Sequence, residues 1–233
     1  MSNVSAEDLV AEALELCRKP DFSAAKRFQE QVSPLAEIRD RHPEIRTAAG
    51  VDLAYRGDVC LCALAVVGIP EMKVSETVFA EASVVFPYVP GYLFFREFPA
   101  FFAAWNLLAS KPDLLMFDGH GLAHPRRAGI ALMAGVLLDF PTIGVGKSRL
   151  TGVYEEPGST RFSATPLADS AGDQIGWALR TKAEPRPAKP VFISPGHRVS
   201  LDGSLELAKA FTGKWRVPVP TREAHVAGKA AFF

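Results

Sequence analysis

The sequence predicts an α/β fold, a mixed sheet of three antiparallel strands followed by parallel strands and flanked by helices. Two observations carry this reading. Three segments rich in Ala, Val and Leu, namely Thr47 to Tyr55, Asp58 to Val67 and Lys73 to Ser83, are broken only by Arg56-Gly57-Asp58 and Gly68-Ile69-Pro70. Turns this short make antiparallel neighbours. After them, helix-length segments alternate with two apolar runs, Leu114 to Phe117 and Pro141 to Gly146, that are too short for lone helices and are shaped like buried strands.

In chain order, Ser5 can cap a helix running to about Lys19, with Glu7 and Asp8 near its positive end and Pro20 beyond it. A second helix covers Ser23 to Val32. The first predicted strand contains Asp52 between Val51 and Leu53. An unpaired buried carboxylate costs several kcal/mol, so Asp52 is either a structural acid bonded to backbone or a ligand. In Val84 to Pro99, Pro87, Pro90 and Gly91 exclude regular structure around Tyr88 and leave a stiff loop that holds the ring outward. Glu97 follows, just before a helix expected to start near Pro99 and to end at Lys111-Pro112. Alone, Glu97 reads as an acid offsetting the helix dipole.

The strand Leu114 to Phe117 stops on Asp118, followed by Gly119-His120-Gly121 and then Arg126-Arg127. A turn explains Asp118-Gly119. It does not explain the second glycine, the two histidines and the arginines, which together suit a metal or phosphate site at a strand end. Arg126 to Asp139 reads as a helix whose small residues pack close to the sheet. Gly146-Lys147-Ser148 invites a phosphate-loop reading, but that motif needs glycine where Pro141 stands. Lys147 instead occupies a strand end, like Asp118. Gln174 to Thr181 and Pro190 to Ser194 are further strands joined by the loop AEPRPAKP, and a turn at Pro195-Gly196 leads into a helix from about Leu201 to Phe211. The tail VPVPTREAHVAGK carries His225 near Arg222 and Glu223.

Composition narrows the function classes. The 233 residues suit one domain over 1–233, and 48 % hydrophobic content supplies a sizeable core. Formal net charge is zero, so any affinity for polyanions must come from local clusters of cations. Cys60 and Cys62 sit in an apolar run, Cys17 is distant and no CxxC pair occurs, so neither a disulfide framework nor a zinc site is indicated. No leader and no apolar run of ~18 residues is present, which leads us to expect a soluble, cytoplasmic protein with no membrane partner.

Three antiparallel strands, then helix, strand, helix, strand and helix, with acids on the first strand, before the helix and after the fourth strand, is the ribonuclease-H-like arrangement. The motifs VDLAY (51–55), PYVPGYLFFRE (87–97), PDLLMFDGHGLAHPRRAG (112–129), PTIGVGKSRL (141–150), GHRVSL (196–201) and PTREAH (220–225) together resemble the endonuclease V family of deoxyinosine 3′ endonucleases. The resemblance spans about residues 25 to 226, and the first ~24 residues carry no family signal.

The physics is compatible with it. If Asp52, Glu97 and Asp118 lie within ~4 Å of one another, each pair repels by ~4 kcal/mol at an effective dielectric near ~20, so the cluster protonates or holds a divalent cation. Oxygen donors favour Mg²⁺, with Mn²⁺ as a substitute. By resemblance, Asp52 and Asp118 are direct ligands and Glu97 acts through water or a second metal. Lys147 offsets charge on the phosphorane and His225 shuttles a proton, while His124 either orients site groups or is a core histidine. Tyr88, fixed by Pro87 and Pro90, resembles the family's duplex-entering wedge, with a PxxP ligand as the lesser reading. Gly91, Leu93, Gly119, Gly121 and Leu150 match base-pocket positions. Arg126, Arg127 and Arg198 are candidate phosphate contacts or a solvated basic surface. The implied activity is hydrolysis of the second phosphodiester 3′ to deoxyinosine in DNA, by a monomer, leaving 3′-hydroxyl and 5′-phosphate ends. A ribonuclease acting on inosine in single-stranded RNA and a non-catalytic inosine-binding protein are the alternatives, with a nucleotide-hydrolysing switch third.

Overall fold

The computed structural model describes residues 5–183 and 188–232, so the middle of the AEPRPAKP loop lies outside the described residues. Helix α1 (Ala6–Arg18) is closed by a capping box in which the Asp8 N–H donates to Ser5 Oγ at 3.1 Å and the Ser5 N–H donates to Asp8 Oδ2 at 3.3 Å. Helix α2 (Phe22–Val32) is capped by Asp21, which accepts from the N–H groups of Ser23 and Ala24. Strands β1 (Thr47–Arg56), β2 (Val59–Gly68) and β3 (Lys73–Ser83) form the expected antiparallel meander.

After it come α3 (Phe94–Leu107), β4 (Leu114–Phe117), α4 (Ile130–Leu138) and β5 (Thr142–Gly146). The chain continues through β6 (Val153–Tyr154), β7 (Ala164–Ala168), β8 (Gln174–Leu179) and β9 (Val191–His197), then α5 (Leu201–Ala210) and α6 (Val219–Phe232). One nine-stranded sheet results, in the order β3-β2-β1-β4-β5-β9-β8-β7-β6. The run β1, β4, β5 is parallel, as expected, while β9 returns antiparallel to β5.

Several boundaries differ from expectation for physical reasons. Helix α3 starts at Phe94 and takes Pro99 into its interior. A proline there costs about 3 kcal/mol, but the extra turn buries Phe94, Phe95 and Phe98, each worth about 1.5–3 kcal/mol. Helix α4 begins at Ile130 rather than Arg126, because Arg127 has φ 51°, a left-handed backbone that no helix continues through. Pro195 and Gly196 lie within β9 rather than in a turn, with Pro195 paired to Ile143 of β5 and Gly196 at a register shift. Strands β6 and β7 extend the sheet where no strand was expected, and the tail is the helix α6.

Alternation along the strands sorts side chains onto two faces. Leu115 and Phe117 of β4 join Ala49 and Val51 of β1 in the layer covered by α1, α3 and α4. Leu9, Ala13 and Cys17 bury α1 in this layer, so the N-terminal helix belongs to the core. Leu114 and Met116 face the other way with Ala48, Ile143 and Val145, under α5. Helix α6 covers β1 and β2 on that second face, and a Cβ at Gly50 would lie 2.0 Å from the carbonyl carbon of Pro220. Among the described residues no helix is long and apolar enough to cross a membrane.

Candidate active site

Parallel register brings two carboxylates together. Val51 of β1 pairs with Phe117 of β4, so Asp52 and Asp118 follow at neighbouring strand positions, with the Asp118 N–H donating to Val51 O at 3.0 Å. Both continue the alternation onto the face that carries α6. Lys147, just past β5, continues Ile143 and Val145 onto the same face, and its ammonium pairs with Asp118 Oδ2. Helix α6 delivers His225, whose Nδ1 lies 3.2 Å from Asp52 Oδ2. These four side chains line one cavity of about 280 Å³.

Electrostatics mark the cluster as charge-frustrated. Burial, reinforced by the negative charge of Asp118, pushes Asp52 up to about 6, against the opposing pull of His225 and Lys147. Glu97, from α3, is only 5 % exposed. Burial pushes it up to about 8; the Tyr55 hydroxyl draws it down by donating to Oε1 at 2.9 Å, and Asp118 and Asp52 raise it further. Its other oxygen, Oε2, is buried with no partner among the described residues. Burial in turn raises Tyr55 above its ordinary range, so the phenol remains a donor.

No group of three His, Cys, Asp or Glu side chains stands ready around one point among the described residues. The fit to a metal rests instead on the adjacent pair Asp52 and Asp118, with the unpartnered Glu97 Oε2 behind them. Two or three hard oxygen donors with room for water suit Mg²⁺ or Mn²⁺, which keep much of their hydration.

A second cavity of about 290 Å³ shares Asp118 and Lys147 with the first and runs beneath the Tyr88 loop. Of the expected base-pocket residues, Gly91, Leu93, Gly119 and Leu150 line it. Gly121 does not. Its N–H donates to Ser194 Oγ at 2.9 Å, and a Cβ there would sit 2.2 Å from Pro195 O, so this glycine lets the post-β4 loop lie against β9. Gly91 has φ 85°, which favours glycine, and its carbonyl accepts from Arg126 Nη2 at 2.6 Å and Gln29 Nε2 at 3.0 Å. Tyr88 is 70 % exposed at the rim beside Pro90, with the Arg96 guanidinium 5.9 Å from its ring centroid. Pro87 shapes the loop without lining the cavity.

His124 resolves into a wall residue. Burial and the nearby Arg126 push it down to about 4. The N–H groups of Arg126 and Ala128 point at Nδ1, so the proton is assigned to Nε2, which faces the Gly91 carbonyl at 3.1 Å. The three arginines all have partners. Arg126 donates to Gly91 and Gln29 and stacks on Tyr92 at 4.3 Å, bracing the pocket. Arg127 is paired with Asp169 and Asp173. Arg198 pairs with Asp139 and follows His197, which lies opposite Thr142 at the start of β5, so it stands at the far end of the sheet from Lys147.

Sequence reasoning placed His120 in the candidate segment without an individual role and passed over Tyr55, Gln29 and Arg96. His120 is the one with a readable signal, since Gly146 stands in β5 without a side chain and a Cβ there would strike the imidazole at 2.3 Å. The ring lines the second cavity with Nε2 3.0 Å from Ser148 O, and burial lowers its pKa.

Comparison with known proteins gives a consistent result. The Endonuclease V family model matches residues 26–226. An endonuclease V of Roseiflexus sp. (strain RS-1) is 46 % identical over 203 residues, covering 87 % of this chain and 90 % of the relative. The crystal structure of an endonuclease V from Streptomyces avermitilis superposes with a TM-score of 0.84 at 40 % identity, covering 91 % of this chain and 92 % of that one. A Ciona intestinalis endonuclease V, in complex with a 24mer DNA containing an inosine followed by a ribo-adenosine, shares the fold at 24 % identity and a TM-score of 0.78, covering 90 % and 96 % of the two chains.

Proposed function

The chain belongs to the endonuclease V family of nucleases, and from that membership we propose that it is a Mg²⁺-dependent endonuclease that recognises deoxyinosine in DNA and cuts the second phosphodiester on its 3′ side. The observation that carries the reading is the wall shared by the two cavities. Asp118 and Lys147 line both the hollow beneath Tyr88 and the one that holds Asp52 and His225. A base held in the first therefore brings its own backbone to the second.

Tyr88 enters the duplex and fills the gap left by the extruded base, a step that costs a few kcal/mol and less for weakly paired inosine. Hypoxanthine presents O6 as acceptor and N1–H as donor and lacks the 2-amino group of guanine. A close backbone wall rejects adenine by unmatched hydrogen bonds and guanine by size. Gly119 keeps that wall bare, while His124, Arg126 and Gln29 hold Gly91 in place.

Asp52 and Asp118 would hold the metal, with Glu97 reaching it through water or a second ion. When bound, the ion polarises the phosphodiester and lowers the pKa of an attacking water. Lys147 offsets the charge that grows on the phosphorane oxygens. His225, beside Asp52, moves a proton between solvent and the nucleophile, and Tyr55 orients Glu97 through its hydroxyl. The products are a 3′-hydroxyl and a 5′-phosphate, and residues 1–233 act as one catalytic domain.

Incubating matched inosine-containing and undamaged DNA strands, with and without Mg²⁺, tests this directly. The expected result is one metal-dependent cut displaced to the 3′ side of inosine. A parallel inosine RNA strand separates DNA preference from RNA preference. Cleavage that ignores inosine would refute the base assignment.

A further inference from the structure

At the same end of the sheet, a third hollow of about 450 Å³ is lined by Lys147, Arg149, Lys189 and Arg216 together with the rings of Tyr154 and Phe192. Lys147 and Arg149 also line the base cavity, so the two hollows share a wall. None of the roles described above uses Arg149, Lys189, Arg216 or Tyr154.

The charges here are not cancelled. Arg149 donates to the Gly152 carbonyl at 2.9 Å, and Arg216 donates to the carbonyls of Lys147 at 2.6 Å, Lys189 at 2.9 Å and Pro190 at 3.0 Å. Carbonyls orient a guanidinium without neutralising it. Among the described residues, neither arginine nor the exposed Lys189 meets a carboxylate. The one acid lining the groove, Glu156, is taken by Arg180 at 2.5 Å. Three cations with no carboxylate partner among the described residues therefore converge in a chain whose formal net charge is zero.

The aromatic component is immobilised. The Tyr154 ring meets Phe192 at 5.1 Å and 77°, and the Arg149 guanidinium lies 5.8 Å from its centroid. Spaced cations beside a fixed ring suit a flexible polyanion that also carries flat bases.

We propose that this groove carries an unpaired segment of a nucleic-acid strand, with its phosphates along Arg149, Lys189 and Arg216 and one base against Tyr154. The proposal rests on the nuclease reading only in placing that segment next to the nucleotide held in the base cavity. The groove itself reads backbone charge and stacking, so its contribution is the same for damaged and undamaged strands.

The test is equilibrium binding of fluorescent single-stranded DNA to the full chain over a series of salt concentrations, without added divalent metal so that no strand is cut. For a 20-nucleotide undamaged strand, Lys189→Ala should lower affinity by about three- to tenfold and reduce the slope of log affinity against log salt by about 0.7, with Lys189→Arg restoring both. Tyr154→Ala should lower affinity by about five- to a hundredfold and Tyr154→Phe should retain it. The nucleoside deoxyinosine, which has no phosphate or neighbouring nucleotide to place in the groove, should bind all these proteins alike. Wild-type affinity and slope for the long strand in Lys189→Ala would overturn the proposal, and this surface change decides the matter even if Tyr154→Ala fails to fold. Equal affinity of the wild type for inosine and undamaged strands would count against the base pocket instead, and leaves the groove result readable.

Discussion

The sharpest prediction concerns the proton on Glu97. Burial pushes this carboxyl up to about 8, whereas an unfolded glutamate titrates near its ordinary value of 4.5. Between those values the folded chain holds a proton that the unfolded chain has released, so stability falls as pH rises, by about 1.4 kcal/mol per unit while the group stays protonated. From pH 6.5 to 8.5, allowing for titration near 8, the loss is about 2 kcal/mol, or about 4–8 °C in Tm for a chain of this length. Other groups act elsewhere. Asp52, pushed up to about 6, has the same sign but completes its effect below the window. The buried histidines, His124 among them at about 4, have the opposite sign and contribute only below about pH 6.5, where the unfolded imidazole gains its proton. The three buried thiols ionise in the unfolded chain from about pH 8.5, and do so equally in any variant that keeps them. Thermal unfolding of the wild type and Glu97→Gln in chelator, at pH 6.5, 7.5 and 8.5, isolates the effect. The wild type should lose about 2 kcal/mol more than the variant over this range, and Mg²⁺ should recover part of that loss at pH 8.5. Parallel curves for the two proteins would refute the reasoning.

Asp118→Asn should slow cleavage of inosine DNA on the order of a thousandfold while retaining strand binding, because it removes a metal donor and leaves the cavity wall; a variant that cuts at the wild-type rate contradicts the metal assignment. Tyr88→Ala should reduce the preference for inosine over undamaged duplex by about five- to a hundredfold, with a smaller effect on the single-turnover rate at saturation. Equal rate losses on inosine and abasic duplexes would argue against a wedge. Gly50→Ala places a Cβ 2.0 Å from the Pro220 carbonyl group, so α6 must move. Calorimetry should find a loss of about 1–3 kcal/mol, accompanied by slower cleavage as His225 leaves Asp52, and an unchanged melt with full activity would show that α6 does not set that contact.

What could be read in advance divides along physical lines. Strand ends were legible because a short apolar run stopping on Asp118, and another stopping just before Lys147, are local patterns. Parallel pairing of β1 with β4 then places Asp52 and Asp118 side by side without further information. Glu97 was not legible locally, since its position suits a helix-dipole acid, and only burial against Tyr55 and the other acids gives it another role. The partners of the arginines were hidden for a related reason. A basic side chain in sequence looks free, and nothing local discloses that Arg126 donates to Gly91 and Gln29.

The helix α6 is the instructive miss. It docks through small residues, not an apolar stripe. Ala224 is fully buried, and a Cβ at Gly228 would come within 3.2 Å of Ala63 and 3.9 Å of Asp52 Oδ2. Hydrophobic periodicity is blind to such a face, and Pro218 and Pro220 made the segment look like an irregular tail. Yet the missing bulk is what the chemistry needs. Small residues at 224 and 228, one turn apart, let the helix lie close enough to β1 and β2 for His225 to reach Asp52. The feature that hid this helix from a reading of periodicity is therefore the same one that completes the acid cluster.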